Sequence, residues 1–432
     1  MPLSSDDLVR SPVGVLRAML DDRRLRVVDL IDQHLRRIED HRGLAAFAAL
    51  DADRALADAR VRDSELDRGQ RRGPVHGLPF SVKENIAVAG LPMRAGSAAF
   101  QEVTASRDAP VVARVREGGG IVLGTNAMHE IGIGDPVRDG PLATGVHPRH
   151  PDFLPGGSSS GPAVAVAAGL TAVSIGADTR GSIRNPAASS GVFGLKPTYA
   201  AVPRAGSLPL CWSMDTIGPL ARDVASLRAT LTVVAPQLAE SAHHGRWVVG
   251  FLPPSSLEPI EEETAALLRR LQEAVVAAGS AVVHLDAIDL SVAGPAWQAR
   301  LAETAAVHAM RVTAPPPSFS TTILEVLEQG ATVTREVYAE SWIVQARLSD
   351  AVDAALQRCD VLALPVNPGP PALRWGQWHG LGVFNWYRYC WPFNLTGHPA
   401  VTVPMEADAA GVPIGMQLVG RRDADHELLA CA

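Results

Sequence analysis

The run WVVGFL (Trp247–Leu252), then IEEETAALLRRLQEAVVAA (Ile260–Ala278), Gly279 and AVVHL (Ala281–Leu285) set the reading of the fold. The outer pieces are short, Val-rich apolar runs of strand length, and the middle piece spaces Ala, Leu and Val at helical intervals among Glu and Arg. Gly279 stands where a helix C-terminus favours a residue free to take positive φ. Strand, helix and strand in that order predict a right-handed βαβ crossover, hence parallel strands. Working back, the same texture begins at Gly77, with a helical pattern over Asp108–Glu117. Before it, residues 13–40 and 50–67 carry apolar residues at helical spacing among Arg and Asp, which predicts two amphipathic helices. Working forward, Pro315–Pro317 predicts a surface loop. Eight aromatic residues crowd into Trp375–Phe393, although aromatics are only 5% of the chain, which predicts either core packing or a pocket wall. Without internal repeats, residues 1–432 read as a single domain: an N-terminal helical layer over 1–70, a motif-bearing region over 77–235, and the βαβ and pocket region over 236–432.

Composition excludes several classes. With 432 residues, 47% hydrophobic and 20% charged, the chain can bury a large core. A net charge of -7, with basic clusters near Arg23, Arg36 and Arg71 interleaved with acids, argues against nucleic acid as a partner. The longest apolar stretch, Ala163–Ala177, is broken by Gly, Thr and Ser and too short to cross a bilayer, so no membrane association is expected. The start MPLSSDDLVR carries no readable signal peptide, and a cytoplasmic location is expected. Cys211, Cys359, Cys390 and Cys431 are scattered without a C-x-x-C pair, which predicts reduced thiols and no zinc site.

The lysines are informative: among 39 basic residues only Lys83 and Lys196 are lysine. A chain that uses Arg for charge keeps Lys where a group must lose its proton, so Lys83 becomes a candidate base. Two Gly-rich segments carry serines, Gly156-Gly157-Ser158-Ser159-Ser160-Gly161 and Gly176-Ala177-Asp178-Thr179-Arg180-Gly181-Ser182-Ile183-Arg184. Glycines let backbone N–H groups turn toward a ligand, and such donors beside a serine can hold the oxyanion formed when its oxygen attacks a carbonyl. The first segment also matches G-x-S-x-G around Ser159, but a nucleophile elbow follows a buried strand, and residues 147–155 hold three prolines. His129-Glu130 lacks the second His of a zinc helix, and Gly118-Gly119-Gly120 lacks dinucleotide spacing; neither metal nor cofactor is expected.

These segments, with Gly77–Asn85 (GLPFSVKEN), Gly124-Thr125-Asn126, Asp178–Pro186 and Gly194–Thr198, resemble the amidase signature hydrolases, and weaker likeness runs on through Asn394–Ala400 and Gly415–Gly420. The resemblance implies a single α/β/α domain with a mixed central β-sheet flanked by helices. It implies a Ser, cis-Ser, Lys triad in which Ser182 is the nucleophile, Ser158 the proton relay and Lys83 the base. It further implies an oxyanion hole from the N–H groups of Thr179, Arg180, Gly181 and Ser182. The expected reaction is cleavage of a small carboxamide to carboxylate plus ammonia or amine. The sequence departs from the family at Arg180, where Gly is usual; a positive φ there would strain an arginine. Its side chain is expected in solvent, with an anionic substrate group as the alternative partner. Lys196, before Pro197, is read as structural. Two other functions stay open: the glutaminase subunit of a tRNA-dependent amidotransferase, for which the chain is short and residues 320–350 lack the expected recognition pattern, and a non-catalytic binding protein of the same fold. A small-molecule amide is the expected partner, and a homodimer is left open.

Overall fold

A computed structural model of the chain describes residues 5–137, 140–238, 245–312, 319–370, 386–405 and 411–432. Eleven strands form one sheet: β1 (Phe47–Leu50), β2 (Pro79–Lys83), β3 (Ile121–Asn126), β4 (Val173–Asp178), β5 (Phe193–Lys196), β6 (Thr216–Ala221), β7 (Val248–Phe251), β8 (Ala281–His284), β9 (Val361–Pro365), β10 (Ala400–Met405) and β11 (Ile414–Val419). Their spatial order is β1-β3-β2-β4-β6-β5-β10-β11-β9-β7-β8. The sheet is mixed: β2 runs parallel to β3 and β4, and β7 to β8 and β9, while the ladders joining these groups are antiparallel. Strands with a neighbour on each side and helices over both faces, such as β2, β3, β6, β9 and β11, are buried at every residue. That is why their sequences are mostly apolar without a regular polar alternation, and why the polar residues they do carry, such as Ser81, Lys83, Asn126 and Gln417, are buried. The edge strands β1 and β8 each end on an exposed residue.

The βαβ unit forms as its sequence predicts. β7 and β8 pair in parallel with Val248 opposite Ala281, the helix between them runs Glu262–Ala277, and Gly279 takes φ 82° just past its end. The N-terminal region departs from expectation, because residues 13–40 make two helices, Val13–Asp21 and Val27–Asp40. Arg23 breaks the chain at φ 58°, and the orphan N–H groups of Val27 and Val28 donate to the carboxylate of Asp63 at 2.7 and 3.1 Å. The cap comes from another helix, Ala52–Asp67, so no local signal marks the start. The pattern over 50–67 divides similarly into the end of β1 and that helix. The Asp108–Glu117 pattern starts its helix at Pro110, since Asp108 instead accepts from Ala89 N and forms an ion pair with Arg116. Ala163–Ala177 is shared by the buried helix Ser160–Ala167 and β4, and among the described residues no helix is long and apolar enough to cross a membrane. All four cysteines are free. Pro315–Pro317 lies outside the described residues.

Three parallel neighbours set up the site. The carboxyl ends of β2, β3 and β4 place Lys83, Asn126 and Asp178 along one edge, with Lys83 in register with Asn126. The chain segments flanking β4 bring two serine loops to the same edge: one leads into the helix Ser160–Ala167, the other into the helix Arg184–Ser190. Ligands gather at the carboxyl ends of strands in open α/β sheets because the loops there converge over exposed strand termini.

Candidate active site

Lys83 ends β2 with 1% of its surface exposed. Its Nζ donates to Ser158 Oγ at 2.8 Å and to the Ala177 carbonyl at 3.3 Å. Burial brings its pKa down from the ordinary value near 10.5 to about 7, against the opposing pull of Asp178 and Asp215. A large fraction of Nζ is therefore unprotonated at neutral pH and able to accept the Ser158 proton.

Ser158 is held by what precedes it. The Gly157–Ser158 peptide is cis, Gly157 N donates to Asn185 Oδ1 at 2.9 Å, and the Ser158 carbonyl accepts from His129 N at 3.2 Å. A Cβ on Gly157 would fall 2.2 Å from His129 Cε1, so the loop can lie against the imidazole only with glycine there. His129 is neutral: burial first, then the charges of Lys83 and Arg180, lower its pKa to about 4. Ser159, centre of the G-x-S-x-G match, points elsewhere. Its Oγ donates to the Ala177 carbonyl at 3.1 Å, and no strand precedes it. Its N–H donates to the Ser182 carbonyl at 3.2 Å, tying the two serine loops together.

The loop carrying Ser182 is organised by Asp178, whose carboxylate is fully buried. Oδ1 accepts from Gly181 N at 2.7 Å, Oδ2 accepts from Ile183 N at 3.1 Å, and Arg184 spans both oxygens at 3.1 Å. Asn394 Nδ2 adds a bond to Oδ1 at 2.9 Å. Burial alone would raise the Asp178 pKa, but Arg184, Asn394 and Lys196 outweigh it and hold the carboxyl well below the usual range. Of the four N–H groups expected in an oxyanion hole, that of Gly181 is thus occupied. Those of Thr179, Arg180 and Ser182 have no acceptor among the described residues, and neither does Ser182 Oγ. The Thr179 hydroxyl donates to Asp215 at 2.6 Å, and burial raises the Asp215 pKa to about 6.

At Arg180 the backbone expectation resolves simply: the positive φ falls on Gly181, at 111°, and not on the arginine. A Cβ on Gly181 would sit 2.7 Å from Cys390 Cβ. The side-chain expectation is corrected. Instead of facing solvent, the guanidinium lies over three rings, 4.9 Å from the centroid of Tyr387, 5.5 Å from Trp297 and 5.9 Å from Trp391. The sequence carried no sign of this, because the rings come from segments more than a hundred residues downstream. Of the Trp375–Phe393 cluster, Trp375, Trp378 and Phe384 lie outside the described residues; Trp386, Tyr387, Tyr389, Trp391 and Phe393 are buried. Lys196 does not reach the serines. It is fully buried and its Nζ donates to the Pro197 carbonyl at 3.0 Å. Asp215, Trp297 and Asn394 border the candidate site without having been singled out in the sequence, and His129, weighed there only as a zinc ligand, borders it too. Among the described residues no group of three or more His, Cys, Asp or Glu is placed to hold a metal ion.

Comparison with known proteins gives this geometry a family. The family model described as Amidase matches residues 29–429. A glutamyl-tRNA(Gln) amidotransferase subunit of Chlamydia trachomatis serovar L2 is 29% identical over 96% of this chain and 92% of its own length. A solved structure described as an amidase superposes with a TM-score of 0.90 at 31% identity, covering 98% of both chains. The peptide amidase from Stenotrophomonas maltophilia superposes with a TM-score of 0.83 at 30% identity, over 97% of this chain and 95% of that one. With the sheet, the serine loops and a match over nearly its whole length in agreement, the chain belongs to the amidase signature family.

Proposed function

We propose that the protein hydrolyses a small carboxamide through an acyl-enzyme on Ser182. Ser182 Oγ attacks the carbonyl carbon while its proton passes to Ser158 Oγ, and the Ser158 proton passes to the unprotonated Nζ of Lys83. The N–H groups of Thr179, Arg180 and Ser182, without an acceptor among the described residues, are the donors available to the developing oxyanion. Collapse of the tetrahedral intermediate breaks the C–N bond, and the proton held by Lys83 returns through Ser158 to the leaving nitrogen. Water then repeats the sequence on the acyl ester to release the carboxylate. The observation that carries this reading is the 2.8 Å contact between a buried Lys83 Nζ, its pKa about 7, and Ser158 Oγ. A fluorophosphonate probe tests it: the covalent adduct should map to Ser182 by mass spectrometry, and an adduct on Ser159 or no adduct would overturn it.

A second reading, the glutaminase subunit of a tRNA-dependent amidotransferase, is favoured by the amidotransferase subunits among the relatives. The two part on partner dependence. A stand-alone amidase turns over simple amides as the isolated chain, whereas a glutaminase subunit releases ammonia from glutamine only when its partners are added.

A further inference from the structure

We infer that Arg180 is a specificity residue that selects amides carrying a carboxylate, its guanidinium pairing with that carboxylate beside the Ser182 loop. The inference rests on the amidase reading above and names the substrate class of the same site. Its first ground is a charge without a counter-charge. An arginine keeps its proton under all ordinary conditions, and Arg180 is only partly exposed. Among the described residues it makes no salt bridge and donates to no carboxylate; its partners are the faces of Tyr387, Trp297 and Trp391. The Tyr387 phenol, the group beside it able to carry negative charge, is pushed up by burial to about 12 and stays neutral. Residues 371–385, which precede Tyr387, contain no Asp or Glu. Ring faces offset part of the cost of burying a cation, but they leave the in-plane N–H donors of the guanidinium unused.

The second ground is position. Arg180 lies two residues before Ser182, and Tyr387, over which it stacks, also lies against Gly181 in the turn between them. The charge of Arg180 is felt at His129, whose ring packs on Gly157 next to Ser158. The guanidinium therefore stacks on a ring that also packs against the loop carrying Ser182. Two fully buried arginines show what a purely structural arginine looks like here. Arg184 is met by Asp178, Asn394 and Gln417, and Arg300 by Ser213, Ser341, Glu303 and Gln345. Of these three, Arg180 is the one whose donors find no acceptor among the described residues, and a planar fork of N–H groups held by stacking matches a carboxylate in two-point geometry.

The test uses matched pairs in which one member carries the charge: succinamate against butanamide, and 4-carbamoylbenzoate against 4-methylbenzamide. The readout is the ratio of kcat/KM within each pair, so a general loss of activity in a variant cancels. The unaltered protein should favour the carboxylate member of at least one pair. In Arg180→Gln that ratio should fall by roughly 10- to 100-fold, the worth of a charge-assisted hydrogen bond, mainly through KM, and Arg180→Lys should recover part of it. A ratio unchanged in Arg180→Gln, or no preference for the carboxylate in either pair, overturns the inference and leaves Arg180 a packing residue. Calorimetric titration of Ser182→Ala protein with the same four compounds separates this from the catalytic reading. If the unaltered protein cleaves none of them the catalytic reading fails, and Arg180 is still judged by whether the charged ligands bind tighter and lose that advantage in Ser182→Ala/Arg180→Gln. A melting curve for each variant shows that it folds.

Discussion

Replacing Lys83 by arginine keeps a cation at the end of β2 and removes only the capacity to shed a proton, so it isolates basicity from charge. With the Lys83 pKa brought down to about 7, roughly a tenth of the side chains are neutral at about pH 6, half at about pH 7 and nine-tenths at about pH 8. The acylation rate should then climb nearly tenfold per pH unit on the acid side and flatten above about pH 8. Following phosphonylation of Ser182 by a fluorophosphonate in single-turnover mode keeps chemistry, not product release, in view. Lys83→Ala and Lys83→Arg should each slow that step by about 10²- to 10⁴-fold, the usual worth of a general base, with no advantage to arginine. Two other groups titrate nearby: Lys196, also brought to about 7, and Asp215, raised to about 6. Lys196→Met should leave the position of the limb where it is, Asp215→Asn should move it to lower pH because it removes a charge that raises the Lys83 pKa, and His129, lowered to about 4, titrates too low to produce it. Near-normal acylation by Lys83→Arg, or a limb centred near pH 10, would refute the reasoning.

Ser182→Ala should abolish fluorophosphonate labelling, whereas Ser158→Ala should keep the nucleophile and label several orders of magnitude more slowly, because the proton then has no path to Lys83. Asp178→Asn strips the counter-charge from fully buried Arg184 and loosens the bonds to Gly181 and Ile183; a loss of about 3–5 kcal/mol in chemical denaturation is expected, with a fall in kcat. Gly181→Ala combines a φ of 111° with a Cβ 2.7 Å from Cys390, and should lower both melting temperature and activity. The two lysines also imprint on stability. Each binds its proton less tightly folded than unfolded, so between about pH 7 and 10.5 the unfolded chain holds more protons and stability rises with pH. Lys196→Met should flatten that rise in denaturation curves taken across the window.

What the sequence disclosed and what it withheld divide along the range of the interactions. The βαβ unit and the serine loops were legible because their signals are local: Gly279 at a helix end, glycines beside serines, an apolar run of strand length. The break between residues 21 and 27 was not, because the cap is Asp63 from another helix. The occupied N–H of Gly181 was hidden for a related reason: the motif names Asp178 and Gly181 but not the bond between them. The same rule explains why lysine survives at only two positions in an arginine-rich chain. Buried Arg184 and Arg300 each meet several acceptors, as five N–H donors require. At position 83 the acceptors are Ser158 Oγ and the Ala177 carbonyl, and at position 196 the Pro197 carbonyl. A guanidinium there would be buried with most of its donors unmet and could not escape by losing its proton, whereas an amine can. Lysine at 196 is thus accounted for without any part in catalysis. The same shortage of acceptors at Arg180, where the chain did place an arginine, is what turns attention to a partner that the protein itself does not supply.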